Sequence, residues 1–442
     1  MKRFLLVLIL TLAAGIFSLS AQGQYLQSGP MVGYSEMMEV MLWVQTNAPA
    51  TVKIEYWEQG NSRTRFATNE VRTQKSDAFT AHLLADAVQP GKTYDYRLLI
   101  NGKAVQLPYP LSFQSQKLWQ WREDPPAFSF LIGSCFYVND PPYDRPGTPY
   151  GSDFEVLDAM YDAGGDFMVW MGDNIYLREA DWNTRTGILY RYTHTRSHPK
   201  LQRLLANMHH YASWDDHDFG PNNSDRSFRE KNTALEAFQL FWANPEYGIN
   251  NQPGVTFRFE WADVEFFMLD NRYYRSPNYR ESGEREILGD EQIEWLIDAL
   301  VNSYAPFKFV VVGGQFLNTV ANYENHATYA AERERILNAL AQERIPGVIF
   351  LTGDRHHTEL SKLQRRGLPT LYDLTISPLT AGLGGRGDEM NELRVDSTFV
   401  RTHNFGKLSV SGPRTARVLD IQVIDYQGNE MWKRTITAAE LR

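Results

Sequence analysis

The chain has one cysteine, Cys135, in 442 residues. A single thiol excludes any intramolecular disulfide, so a packed core has to supply the stability that small secreted domains take from cross-links. Basic residues are also scarce. The 44 Lys and Arg stand against 53 Asp and Glu, leaving a formal net charge of −9. No basic stripe runs along the chain, so nucleic acid is not expected as a partner, except as a substrate. Past the N-terminus no apolar run approaches membrane length, and no stable membrane insertion is expected. Internal repeats, a G-x-S-x-G elbow and a G-x-x-x-x-G-K-[ST] loop are all missing. Those absences remove solenoids, serine hydrolases of the α/β type and P-loop nucleotide hydrolysis.

What is present is globular. Hydrophobic residues make up 43% and charged residues 22% of the chain, enough apolar material for an extensive core spread over two or three domains. The N-terminus, "MKRFLLVLILTLAAGIFSLSAQGQ", opens on Lys2 and Arg3 and continues with an apolar run over residues 4–19. Ser20 and Ala21 then offer small residues for cleavage. At about 16 residues the run is short of the roughly 20 a span requires. A signal peptide over residues 1–21 is therefore expected in preference to a membrane anchor, and with it a secreted protein, periplasmic or extracellular.

Residues 25–118 read as a β-sandwich of the fibronectin or immunoglobulin type. "EVMLWVQT", "ATVKIEYWE", "FTAHLLAD" and "KTYDYRLLING" alternate apolar and polar residues between Gly and Pro punctuation. "QWREDPPAF" reads as a linker. From residue 126 to 442 the texture changes to short, nearly continuous apolar strands, the mark of strands buried on both faces. Helical patterns such as "DFEVLDAMYDAG", "EQIEWLIDALVNS" and "AAERERILNALAQER" lie between them. This predicts a layered α/β domain with helices packed on sheets.

The apolar strands end abruptly in polar clusters: "FSFLIGSCFY", "FMVWMGDNIYL", "MHHYASWDDHD", "VEFFMLDNRYY", "FKFVVVGGQFL" and "GVIFLTGDRHH". The residues delivered there are Cys135, Asp173, Asn174, Tyr176, Asp215, Asp216, His217, Asn222, Asn223, Asn271, Arg272, Gln315, Asp354, His356 and His357. One Asp at a strand end is ordinarily a turn residue or a helix cap. Six strand ends supplying potential ligands together predict a polynuclear metal site. Two or three cations a few ångströms apart repel strongly, and several carboxylates with a thiolate neutralise them. Hard oxygen donors suit calcium or magnesium, whereas imidazole and thiolate suit zinc or iron, so unlike metals are expected.

These segments resemble the alkaline phosphatase D (PhoD-like) family, within the metallophosphatase fold of two β-sheets flanked by helices. The resemblance is carried by "GSC" at residues 133–135, "GDNIY" at 172–176, "WDDHD" followed by "NN", "LDNRYYR", and "GDRHH". It implies a four-layer α/β/β/α sandwich preceded by the β-sandwich. Cys135, Asp173, Tyr176 and His356 would hold Fe3+. Asp173 would bridge to a Ca2+ site completed by Asp216 and Asp354, with Zn2+ or another divalent ion as a substitute. His217 would be a hydrogen-bonding catalytic group near the scissile oxygen, and Arg272 would hold a phosphate oxygen. Asn222 and Asn223 would orient substrate or neighbouring carboxylates, and Asp215 would support the carboxylates beside it. Either His356 or His357 can be the ligand, with the Asp-x-His spacing favouring His356.

The implied reaction is hydrolysis of a small phosphate ester, monoester or diester, with metal-activated water as nucleophile. Two other readings fit the residues. Tyr137, Tyr143, Tyr150, Trp182, Tyr190 and Tyr192 suit a phosphodiesterase or phospholipase acting on larger cell-wall or lipid phosphates. A surface-binding protein with structural metals and a binding sandwich is the alternative from outside enzymology. Gly382, Gly384 and Gly387 fit G-x-G-x-x-G, but Pro378 and the run after Gly384 promise no helix, so no nucleotide site is expected. His209 and His210 precede a strand end and read as structural.

Overall fold

The computed structural model describes residues 25–322, 324–384 and 389–442. The expected signal peptide and the last glycine of the G-x-G-x-x-G run lie outside the described residues. Among the described residues no helix is long and apolar enough to cross a membrane.

The strands Phe128–Gly133, Phe167–Met171 and His209–Ser213 pair in parallel, because helices carry the chain back between them. Alternation of their side chains sends Phe130, Ile132, Phe167 and Val169 to one face and Leu131, Met168 and Trp170 to the other. A second parallel set, Val264–Met268, Lys308–Val312, Val348–Thr352 and Leu368–Thr375, lies in a six-stranded sheet closed by two antiparallel strands. Phe266, Phe309, Ile349 and Leu351 of this sheet share a core with Phe130 and Phe167 of the first, so the two sheets face each other. The outer faces are covered by helices. Glu155–Ala163, Arg185–Arg196 and Lys231–Phe241 cover one sheet; Asp290–Asn302 and Ala330–Gln342 cover the other. The result is a mixed α/β fold in four layers, helix, sheet, sheet, helix.

The N-terminal strands differ from the expectation of a domain that merely precedes this fold. Leu26–Ser35, Val40–Thr46 and Thr80–Ala85 extend the first sheet to nine strands, with Val32 in parallel register with His209. Their other face packs on a separate small sheet built on Thr51–Glu58 and Thr93–Ile100, through Leu42, Val44, Ile54, Tyr96 and Leu98. The sandwich thus shares one of its sheets with the α/β fold. Met31 and Trp43 sit in the same core as Trp170 and Phe241, and Trp43 Nε1 donates to the Leu240 carbonyl at 2.8 Å. The physical reason is the edge. Strand His209–Ser213 would otherwise leave a row of unpaired amides and carbonyls, and the N-terminal hairpin covers it.

Candidate metal centre

All the parallel strands of both sheets end on the same side of the molecule. Their ends carry Cys135, Asp173, Asp215 with Asp216, Asn271 with Arg272, and Asp354 with His356. The backbone is bent hard at these points. Cys135 (φ 58°), Asp173 (φ 52°), Asp354 (φ 68°) and His356 (φ 54°) all take the left-handed conformation. Each such non-glycine residue costs about 1–2 kcal/mol. That strain swings the side chains out of the pleat and over the ends of the sheets. Glycines make the approach possible. A Cβ on Gly172 would meet Asp215 Cβ at 2.7 Å, and one on Gly353 would meet Ser134 Oγ at 2.5 Å.

The donor atoms converge. Cys135 Sγ lies 3.5 Å from Asp173 Oδ2, and the Tyr176 hydroxyl donates to the same oxygen at 3.1 Å. His356 Nε2 is 3.1 Å from the Tyr176 hydroxyl. Cys135, Asp173 and His356 offer ligand atoms within 4.8 Å of one another, as do Asp173, Asp216 and His217, and Asp215, Asp216 and Asp354. His357, by contrast, turns away. Its Nδ1 meets the Arg355 carbonyl at 3.0 Å and its Nε2 lies 3.8 Å from Glu359.

Electrostatics makes this crowd costly without cations. Burial pushes the Cys135 thiol up to about 12. Burial, then Asp216 and Cys135, raises Asp173 well above the carboxylate range; burial, then Asp215 and Asp216, does the same for Asp354. Burial opposes ionisation at Asp216 too, but His217, Arg272 and the Asn223 amide outweigh it and its pKa falls. Burial lowers His217 to about 4. Asp215 Oδ2, Asp216 Oδ1 and Asn271 Oδ1 are buried acceptors without a hydrogen-bond partner among the described residues. Unpartnered buried oxygens beside a thiol, a phenol and an imidazole are the donor set a cluster of metal ions satisfies.

A cleft of about 930 Å³ opens over these residues, lined by Asp173, Asp216, His217, Asn222, Asn223, Asp354 and His356. The Gly220-Pro221 turn brings both asparagines back to it, and the Asn223 amide donates to Asp216 Oδ2 at 2.7 Å. The other acids of "WDDHD" do different work. Asp218 receives the Asn174 amide at 3.1 Å and the Asp215 amide at 3.0 Å, tying two strand ends together. Gln315 donates to Glu359 at 2.7 Å, away from the cleft.

Arg272 departs from the expected role of holding phosphate. It is 1% exposed, and its fork is spent on protein: Nε on Asp215 Oδ1 at 2.5 Å, Nη1 on the Ser224 carbonyl at 3.2 Å, Nη2 on Glu324 at 2.9 Å. Asp215 and Glu324 offset the cost of burying this guanidinium. Glu324, Arg178 and Arg285 all line cavities here, yet no motif singled them out. Arg178 is buried among three rings, 4.6 Å from the Tyr137 centroid, 5.7 Å from Tyr150 and 5.6 Å from Tyr176.

Two facing sheets under helices, with a thiol, a phenol, imidazoles and carboxylates gathered at the strand ends, define a metallophosphatase-type fold around a candidate metal centre. The chain belongs to the PhoD-like phosphatase family, whose model matches residues 146–409. A second model, a domain of unknown function (DUF7800), matches residues 23–118. Alkaline phosphatase D of Bacillus subtilis (strain 168) is 27% identical over 338 residues, covering 65% of this chain and 54% of that protein. The chain thus aligns with about half the length of this curated relative. A solved PhoD structure superposes with a TM-score of 0.77 at 18% identity, over 94% of this chain and 90% of that one. The purple acid phosphatase PPD1 from yellow lupin (Lupinus luteus) superposes with a TM-score of 0.67 at 10% identity, over 93% and 74%. At these identities the two structures speak to fold alone.

Proposed function

We propose that the protein is a secreted, metal-dependent phosphoesterase that hydrolyses small phosphate esters. The observation that carries this reading is the convergence of Cys135, Asp173, Tyr176, Asp216, Asp354 and His356 at one cleft, with buried oxygens left unpartnered. Cys135, Tyr176 and His356 suit a trivalent ion such as Fe3+, because two of the three are anionic, electron-rich donors once ionised. Asp216 and Asp354 suit Ca2+ or another hard divalent ion, with Asp173 between the two sites. Bound metal ions supply an activated water and offset the charge of the phosphate.

The chain's own residues orient the substrate. His217, stacked on the Tyr176 ring with centroids 4.2 Å apart, presents a polar ring edge to the cleft. It is the group to hydrogen-bond the leaving oxygen. Asn222 and Asn223 offer amides to phosphate oxygens from the opposite turn. Arg272 acts from below, holding Asp215 and the floor of the site in place.

Asp173→Asn tests the reading. Loss of bound metal together with loss of hydrolysis is expected; unchanged metal content and unchanged activity would sink it. One observation favours diesters as well as monoesters. The cleft adjoins a second cavity of about 480 Å³ lined by Tyr137, Tyr150, Arg178, His217 and Asn222, room for a second substituent on phosphorus. Side-by-side kinetics on a monoester and its methyl diester measure the preference.

A further inference from the structure

Arg285 lines the same cleft as Asp216 and Asp354. Its neighbour Arg275 makes an instructive contrast. Both guanidiniums lie 4.6 Å from the centroid of the Tyr329 ring. Arg275 is 1% exposed and pairs with Glu324 at 3.4 Å. Arg285 is half-buried and has no carboxylate within ion-pair reach among the described residues. Glu324 is already shared between Arg272 and Arg275. The Arg285 Nη2 donates to the Asn278 carbonyl at 2.7 Å, and its Nε is buried with no partner.

The arginine is also held in place. Asn278 donates to Glu324 at 2.6 Å and accepts from Arg275 at 3.0 Å and from the Tyr329 hydroxyl at 2.8 Å. The carbonyl that receives Arg285 is therefore fixed, and so is the ring beneath the guanidinium. A partly desolvated cation without a counter-charge is unfavourable, and a fixed guanidinium fork matches an oxyanion. Solvation alone would not call for a platform of this kind.

We propose that Arg285 is an anion subsite, and that the substrate is a phosphate ester whose organic group carries a second oxyanion, a carboxylate or a further phosphate. The inference rests on the phosphoesterase reading, which places the scissile phosphate at the carboxylate end of the same cavity. Arg285 then selects among esters by what lies at their other end.

Calorimetry on the full, metal-loaded chain tests this with non-hydrolysable alkylphosphonates of increasing length. Three series are compared, ending in methyl, carboxylate or a second phosphonate. At one or more lengths an anion-terminated ligand is expected to bind about tenfold or more tighter than its methyl-terminated match, the value of one charged hydrogen-bonded contact. Which series gains tells carboxylate from phosphate. That advantage should vanish in Arg285→Met and survive in part in Arg285→Lys. No advantage at any length in the wild type, or an advantage that persists in Arg285→Met, overturns the subsite. Failure of the methyl-terminated series to bind at all would instead overturn the phosphoesterase reading, and the substrate class with it.

Discussion

Arg272 Nε lies 2.5 Å from Asp215 Oδ1, with both side chains 1% exposed. The pair ties the strand end after Met268 to the one after Ser213, one from each sheet, and so joins the two halves of the floor beneath the cleft. Removing the arginine leaves Asp215 buried without its cation and Glu324 with Arg275 alone. Arg272→Met is expected to destabilise the fold by about 3–5 kcal/mol in denaturant titration. Lys is not expected to rescue it, since one ammonium cannot serve Asp215, Glu324 and the Ser224 carbonyl together. A variant of wild-type stability with only a raised KM would return Arg272 to the role of substrate ligand.

Gly353 and Ser134 form the tightest joint between the strand ends that carry Asp354 and Cys135. A Cβ on Gly353 would fall 2.7 Å from Ser134 Cβ. Gly353→Ala should therefore cost about 1–3 kcal/mol through overpacking and spread the candidate ligands apart. Metal content per chain is the measurement. Adding Ser134→Gly removes the opposing carbon, and part of the lost metal should return. If Gly353→Ala alone keeps full metal content, the joint does not set the ligand spacing.

His209 and His210 link stability to acid pH. His209 Nδ1 donates to the Gly33 carbonyl at 2.8 Å, and His210 Nδ1 accepts from Trp170 Nε1 at 3.0 Å. Burial lowers the first to about 4 and the second to about 3, from an ordinary value of 6.5. Between those values and 6.5 the unfolded chain binds more protons than the folded one. Stability is therefore fully present above 6.5 and drains away as pH falls towards 4. For His209 the loss is on the order of 3 kcal/mol. Melting temperatures across pH 4–7 should show this slope, and His209→Gln should reduce it, leaving the share of His210. An unchanged slope would rule the residue out.

The N-terminal strands should not unfold by themselves. Deleting residues 25–118 strips three strands from the nine-stranded sheet and removes Met31 and Trp43 from the core they share with Trp170. The expected product is an aggregating chain, so the deletion cannot serve to separate a binding role of the sandwich from catalysis. Trp43→Ala is the gentler probe, with an expected cost of about 3–5 kcal/mol. Far-UV and near-UV circular dichroism should then report one coincident transition. Two well-separated transitions would show that the sandwich folds independently.

Much of the candidate site was legible along the chain. Strands buried in parallel sheets are nearly unbroken apolar runs, so each polar residue that ends one, such as Asp173 or Asp354, stands out. Within "WDDHD" the resemblance separates Asp216 from Asp215 and leaves Asp218 without a role. In the fold Asp215 meets Arg272, Asp216 lines the cleft and Asp218 clamps Asn174. The resemblance gives Arg272 the role of phosphate ligand, because a guanidinium fork matches phosphate oxygens. Its burial depends on Glu324, whose position in a loop carries no local signal. Arg285 lies in a polar loop that reads as ordinary surface.

The sequence by itself determined which segments are strands, that their ends cluster oxygen, nitrogen and sulfur donors, and that the chain has an α/β part. These are properties of short windows, set by periodicity and by the cost of burying polar groups. Only the tertiary structure decided how the N-terminal hairpin is spent, as cover for a sheet edge. Only it turned His356 towards Tyr176 and His357 away, drew Arg272 beneath the floor, and left Arg285 in the cleft without a carboxylate. The physical reason is that the energy of a charge is fixed by everything within a few ångströms of it, and those neighbours come from distant parts of the chain.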